Sequence, residues 1–515
     1  MKRTVLVICL LLAVALAAIL WLSRGPPAAR GGTLTVYCAA GLKQAVEAAA
    51  ADYQRECGTA VSLQFGGTGT LLSQLRVARR GDLFVAADDG SLADARKSGV
   101  IREVLPLARQ YPVIAVRKGN PKQIRTLDDL LRADVRVALA NPEAASIGRA
   151  TQAALGARWQ ALASHAAVMK PTVTELASDL SLGTVDAAIL WDSTVGQFAG
   201  LGWVEVPELT ARVETASVAV LASCTQPVAG LRFARYLAAP EKGGAVFRRS
   251  GFTPAGGDRW EARPTLILYS GGVNRPAIES LLREFAAREG IEITTVFNGC
   301  GILCAAMKTM GDASNPKFPD AYYACDLSFL PPVAQHFPEA VVLTETDIGI
   351  VVPKGNPRGL HALADLARPN LRLGLCNAEQ STLGYLTNGM LRSSGLAVAV
   401  RKNVAVEVPT ADFLINQMRA NSLDAAIVYR VNAAPQAAHL DYLPIAHPGA
   451  KAVQPFSIRS DSPNARLATR LLDFLKTRRQ NFEAAGFVWR GDEAARRSAE
   501  IEIPAWLRDD GSAPN

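Results

Sequence analysis

One stretch of this chain is written twice. Near the start it reads LTVYCAAGLKQAVEAAAADYQRECGTAVSLQFGGTGTLL, and in the second half LILYSGGVNRPAIESLLREFAAREGIEITTVFNGCGILC. Tyr37 aligns with Tyr269, Phe65 with Phe297 and Gly69 with Gly301. RKGNP (Arg117 to Pro121) returns as PKGNP (Pro353 to Pro357), and VDAAILW (Val185 to Trp191) as LDAAIVY (Leu423 to Tyr429). Both copies close on a Gly-Phe pair, Gly251-Phe252 and Gly486-Phe487. Solenoid units recur every 20 to 50 residues or so, and this period is far longer. The repeated object is a whole globular module.

With 515 residues, each copy is long enough to bury a core of its own. The boundaries follow from the repeat: 1–32 a leader, 33–255 the first module, 256–264 a linker (GGDRWEARP), 265–490 the second module, and 491–515 a charged tail expected to pack loosely. Hydrophobic residues make up 49% and charged residues 20%, an ordinary globular balance. The net charge of +8 is spread along the chain. A solvated basic surface accounts for it, with some attraction for small anions. No basic stripe is interleaved with aromatics, which argues against a nucleic-acid partner. At the N-terminus Lys2 and Arg3 precede an apolar run from Val5 to Leu22, followed by Ser23, Arg24 and GPPAARGG. That run is long for a secretion signal and long enough to cross a bilayer. Both readings, retained anchor or cleaved signal, export the body of the protein.

Inside each copy, short Val/Leu/Ile/Tyr runs alternate with stretches of helical period. TLTVYCA reads as a strand, and LKQAVEAAAADYQREC as a helix with Leu42, Val46, Ala49 and Tyr53 on one face. VSLQF, DLFVAAD, YPVIAVRK, RVALAN and DAAILW read as further strands, with helices at TLLSQLRVARRG, TLDDLLRA and Gly148 to Gly156. The alternation predicts an α/β fold with right-handed crossovers and mostly parallel sheets. In open α/β sheets ligands bind just past the carboxyl ends of the strands. In the first copy those positions are small or hydroxylic: Cys38-Ala39-Ala40-Gly41, Gly66 to Thr70, Asn141 to Ser146, and Trp191 to Thr194. Several such turns around one crevice would aim backbone N–H groups at an anion. A single Gly-rich turn would be no more than a tight turn.

These elements resemble the periplasmic molybdate- and tungstate-binding proteins of ABC importers, which have the type II solute-binding fold. The resemblance rests on VYCAAGL, FGGTGTLLSQL, DLFVAAD, NPEAASIGRATQAAL, DAAILW and the closing Gly-Phe; it covers most of the first copy and recurs more weakly in the second. It implies two tandem modules, each of two α/β lobes on a hinge of crossing strands. It also implies a small tetrahedral oxyanion as ligand, a permease partner, an extracytoplasmic location and no cofactor. Carried over by position, the family's first hydroxyl donor falls at Gly41, beside Ala40, where only a backbone N–H remains. Its second falls at Thr68, followed by Gly69; its backbone donors fall near Ile147 and Val173; and its tyrosine falls at Trp191.

In the second copy the two hydroxyl positions become Val273 and Cys300, while Tyr429 keeps the tyrosine; Ser270 and Asn298 are alternative donors. Cys300, Cys325 and Cys376 each follow a different strand, and Cys304 lies one helical turn beyond Cys300. Three readings stay open: buried thiols acting as small hydrophobes, a Cys300–Cys325 disulfide favoured by an oxidising compartment, or a soft-metal or redox site of Cys300, Cys325 and Cys376. The five histidines show no metal-ligand spacing, and no nucleophile elbow, phosphate loop or paired-carboxylate motif occurs. Asp82 and Asp320, with Asp88 and Asp326, read as capping residues rather than acid/base groups. The expectation is a binding protein rather than an enzyme: a tethered receptor for an oxyanion, or a diverged fold whose cysteine-lined second cleft binds a soft metal or senses redox state.

Overall fold

A computed structural model describes residues 32–311 and 315–507. The leader up to residue 31, residues 312–314 and the end of the tail lie outside the described residues, and with them the anchor-or-signal expectation. Among the described residues no helix is long and apolar enough to cross a membrane.

The chain divides into two compact units between Trp260 and Glu261, one per repeat. The opening helix of each shows why. Lys43–Cys57 buries Val46, Ala49 and Tyr53 against its sheet and ends at Gly58, whose positive φ of 69° lets its amide reach Gln54 O. Arg275–Glu289 buries Ile278, Leu281 and Phe285 and ends the same way at Gly290, φ 68°. A left-handed residue closing a helix favours glycine because no Cβ crowds the carbonyl.

In the first unit, one lobe carries a six-stranded sheet. Leu34–Ala39 lies between Val61–Gly66 and Leu83–Ala86, parallel to both. Glu214–Leu221, returning from the other lobe, pairs antiparallel with Leu83–Ala86 and with Ile101–Gln110. The other lobe is a five-stranded sheet built on Val137–Ala140, parallel to Val168–Lys170 and Ala187–Trp191, with Pro112–Arg117 and Leu201–Val204 antiparallel at the far side. The chain enters the second lobe through Tyr111, the single residue between Ile101–Gln110 and Pro112–Arg117. The second unit repeats this order, but its crossing strand, Glu339–Pro353, is unbroken over 15 residues and merges both lobes into an 11-stranded sheet. Where a helix was expected at TLDDLLRA, the chain makes only the 3-10 turn Asp128–Leu131.

In the linker, Trp260 packs edge-on to Tyr236 at 5.1 Å and to Tyr53 at 6.3 Å, and its amide donates to Glu241. One expectation at the module ends is corrected: the described part of the tail does not pack loosely. Arg496–Arg497 pairs antiparallel with Glu339–Ala340, and the Ser498 amide donates to Pro338 O at 2.8 Å. Further on, Trp506 lies against Gly389 and Gly449, and Tyr385 Oη donates to the carbonyl of the buried Leu507 at 3.2 Å. A Cβ at Gly389 would sit 2.8 Å from Leu507 and 3.0 Å from Trp506. The segment therefore crosses from one lobe of the second unit to the other.

Candidate functional site in the first module

The expected site residues of the first module meet where its lobes close. Ala40 and Gly41 form a 3-10 turn directly after the first strand. Thr68 and Gly69 open the helix Thr68–Ala78; Ile147 is second in Ser146–Leu155; Val173 is first in Val173–Leu182; Trp191 ends the strand Ala187–Trp191. Three helix N-termini thus face one crevice. The first N–H groups of a helix lack intrahelical partners and carry partial positive charge, so this arrangement suits an anion.

The crevice is shut. Gly69 N and Thr70 N of one lobe donate to Ala144 O of the other, at 2.9 and 3.3 Å. A Cβ at Gly67 would run into the Ala144 and Pro171 carbonyls, and one at Gly69 into Glu143 O. Here glycine permits backbone-to-backbone approach. Gly69 was expected to bind ligand through its amide, and that amide is already used for closure. Across the rim Arg149 Nη1 reaches Asp94 Oδ2 at 2.7 Å, and its hydrogen bond holds the Asp94 carboxyl below the ordinary range.

Inside, two hydroxyls are buried and orphaned. Thr68 and Thr194 are each 1% exposed, and neither Oγ1 has a hydrogen-bond partner. Thr194 was not singled out from sequence. It stands in the short helix Asp192–Val195 and faces Gly41: a Cβ there would lie 3.5 Å from Thr194 Oγ1, 2.9 Å from Val173 Cγ1 and 3.9 Å from Trp191 Cδ1. Gly41 is thus small because Val173 and Thr194 occupy the space of a side chain. The missed signal was the repeat itself, since Asn432 occupies the matching place after Tyr429. The neighbouring acids are engaged elsewhere. Asp88 caps Asp89–Lys97 by accepting from Ser91 N, Asp192 accepts from Tyr111 N at 3.0 Å, and burial raises both pKa values. Asp82 and Asp320, expected as helix caps, instead accept from Thr35 N and Ile267 N and tie down the first strands.

The chain matches the bacterial extracellular solute-binding protein family twice, over residues 34–253 and 266–488. It belongs to that family, in tandem. A Haemophilus influenzae protein described as a binding protein is 27% identical over 227 residues, 43% of this chain and 91% of the relative. The molybdate-binding protein ModA of Mycobacterium tuberculosis is 26% identical over 235 residues, 45% of this chain and 88% of its own. Among solved structures, the Azotobacter vinelandii periplasmic molybdate-binding protein is 18% identical with a TM-score of 0.37, covering 43% of this chain and 98% of that one. The chain is therefore an extracytoplasmic solute-binding protein of the ABC-transporter type, and its family is one of binding proteins rather than enzymes.

The second cleft is shut by the same glycines: a Cβ at Gly299 would meet Gln380 O, and one at Gly301 would meet Glu379 O. Its interior differs. Cys300 is fully buried, and its sulfur accepts from Cys325 N at 3.1 Å. Cys300 and Cys325 are free thiols, not the disulfide considered above. The trio with Cys376 is also corrected, since among the described residues no three His, Cys, Asp or Glu are grouped to hold a metal ion. Cys376 lies on Leu373–Cys376 beside Ser381, and burial pushes its thiol up to about 12. Ser270 is not a ligand donor, because its hydroxyl donates to Gly271 O and accepts from Asn274 within its own lobe. Tyr429 is buried with its hydroxyl unpartnered, and lines the remaining gap with Val273, Asn298, Cys325 and Asp412.

Proposed function

We propose that the first module captures a tetrahedral oxyanion of the molybdate and tungstate class and presents it to an ABC-type permease. The observation that carries this reading is the pair of orphaned hydroxyls, Thr68 Oγ1 and Thr194 Oγ1, enclosed between helix N-termini. A buried polar group without a partner costs about 1–3 kcal/mol, and an anion accepting from both removes that cost. A fully ionised oxyanion only accepts hydrogen bonds, so a site made of donors selects it, and a protonated one leaves its own O–H unsatisfied. The relatives named molybdate-binding support the same class. In this reading Thr194 supplies from the second lobe the hydroxyl that Gly41 lacks in the first. Stretch 5–22 would act as a tether or an export signal, distinguished by the mass of the mature protein.

The test is calorimetric titration of the full chain with molybdate, tungstate, sulfate and phosphate. Molybdate or tungstate binds once per chain, and Thr68→Val and Thr194→Val each weaken it at least tenfold. Absence of heat with all four anions would sink the proposal.

A further inference from the structure

The helix bearing Thr194 is tied across the hinge by one buried side chain. Gln110 ends the crossing strand Ile101–Gln110, directly before Tyr111, and is 2% exposed. Its Nε2 donates at 2.9 Å to Ala87 O, just past the first-lobe strand Leu83–Ala86. Its Oε1 accepts at 2.8 Å from Ser193 Oγ, which lies in Asp192–Val195 of the second lobe and is fully buried. A single amide thus holds both lobes, and each of its bonds is buried. Tyr111 belongs with the second lobe, since its amide donates to Asp192 Oδ1 and its carbonyl accepts from Asp192 N, both at 3.0 Å. The Ser193–Gln110 bond therefore spans the pivot itself. Further along, Gln197 Nε2 donates to Gly41 O at 3.3 Å, so a second amide joins the same stretch to the first lobe.

The second module lacks this link. By the repeat, Gln110 corresponds to Thr346 and Ser193 to Val431, counted from the shared Lys-Gly-Asn-Pro and Asp-Ala-Ala-Ile segments. Thr346 Oγ1 is buried without a hydrogen-bond partner, and the Val431 side chain has no polar atom to offer it. The carbonyl matching Ala87 O, that of Cys325, does accept from a glutamine, Gln454, at 3.0 Å. The Oε1 of Gln454, however, accepts from Thr344 Oγ1 in its own lobe, at 2.9 Å. A glutamine supports this strand end in both modules, and only in the first does it reach the opposite lobe.

We infer that Gln110 is a positioning residue of the first cleft: through Ser193 it sets Thr194 in the site as the lobes close. Rotation about Tyr111 breaks the Ser193–Gln110 bond, so the bond favours the closed form and is made only there. Thr194, one residue on, then has a fixed place opposite Gly41 rather than a range of them. That Thr194 meets an anion rests on the oxyanion reading; the link across the hinge does not.

Two measurements on the full chain test this. In ligand-free protein, hydrogen exchange at the Gly69 and Thr70 amides reports closure, because both donate to Ala144 O across the cleft. Gln110→Met and Ser193→Ala each speed that exchange about tenfold, and the double variant adds little more. The Ile302 amide, which donates to Gln380 O across the second cleft, keeps its rate. In titrations with molybdate or tungstate, Thr194→Val weakens binding less in the Gln110→Met background than in the unaltered chain, whereas Thr68→Val weakens it equally in both. General damage to the fold would not tell the two threonines apart. Should Gln110→Met fail to fold, Ser193→Ala, which removes a single oxygen, carries both measurements. Unchanged exchange at Gly69 and Thr70, or equal coupling to the two threonines, overturns the inference. If no anion binds at all, the oxyanion reading fails while the exchange rates still decide this one.

Discussion

The two clefts share a frame and differ in what lines it. Gly67 and Gly69 seat against the opposite lobe as Gly299 and Gly301 do, and in both modules these contacts are with main-chain carbonyls. Across the rim the copies part. The first joins its lobes by Arg149–Asp94, part-exposed and ionic. The second places Tyr385 at the position of Arg149, packs it edge-on against Phe329 at 5.6 Å, and binds it to the C-terminal segment. Backbone-to-backbone contact depends only on glycine and survives duplication. The interior depends on single side chains and is free to change its chemistry. A closed cleft is therefore a poor guide to what it holds.

The most severe way to break the comparison is Gly69→Ala. A Cβ there meets the Glu143 carbonyl, which cannot move aside like a side chain. The first cleft should fail to close and anion affinity should fall by two orders of magnitude or more, while Gly301→Ala spares it; calorimetry on both variants checks this. Next comes Trp506→Ala. Removing a half-buried Trp from its glycine seat should cost the second module about 2–3 kcal/mol, less than a fully buried aromatic would. Two calorimetric transitions are expected, and only one should shift.

Thr68→Val sharpens the comparison by sign. It replaces an unpartnered buried hydroxyl with a methyl, so the ligand-free protein should be unchanged or more stable by up to about 1 kcal/mol. The same change should remove about 1.5–3 kcal/mol of anion binding, the range for a hydrogen bond to a charged group. Denaturant melts with and without molybdate read both effects. Smallest is Arg149→Ala. An ion pair this exposed is worth less than about 1 kcal/mol, so affinity should drop a few-fold and lose part of its salt dependence. Because Arg149 depresses the Asp94 pKa, the pair contributes above the ordinary carboxylate value. Its contribution is lost as pH falls through the lower folded value, so wild type and variant should converge in acid.

Much of this was legible in the residues. The repeat marks the modules, and the 3.6-residue spacing of Leu42, Val46, Ala49 and Tyr53 marks a helix face that is indeed buried. The turns at Gly41, Thr68 and Trp191 could be placed past strand ends because side-chain period and strand length determine where a strand stops. What could not be read depends on contacts across the cleft. Thr194 is one residue in a polar turn until Gly41 is seen opposite it. The Gly69 amide looks available until Ala144 O is found in its path. Ile501, Ile503, Trp506 and Leu507 are too few and too interspersed with charge to announce a docked segment; their partners, Gly389 and Gly449, are distant in sequence and carry no side chain to signal a pocket. The cysteines past three strand ends suggested one cluster, and the fold brings only two together.

The crossing strand has a mechanical consequence. In the first module one residue, Tyr111, interrupts the ladder between the lobes, so the jaws turn on a swivel at which few hydrogen bonds need twist. In the second, Glu339–Pro353 is a torsion bar gripped along its length by neighbouring strands, and rotating one jaw winds the whole rod. One blueprint, duplicated, thus carries two different joints: a single residue between two strands, and one strand that runs through both lobes.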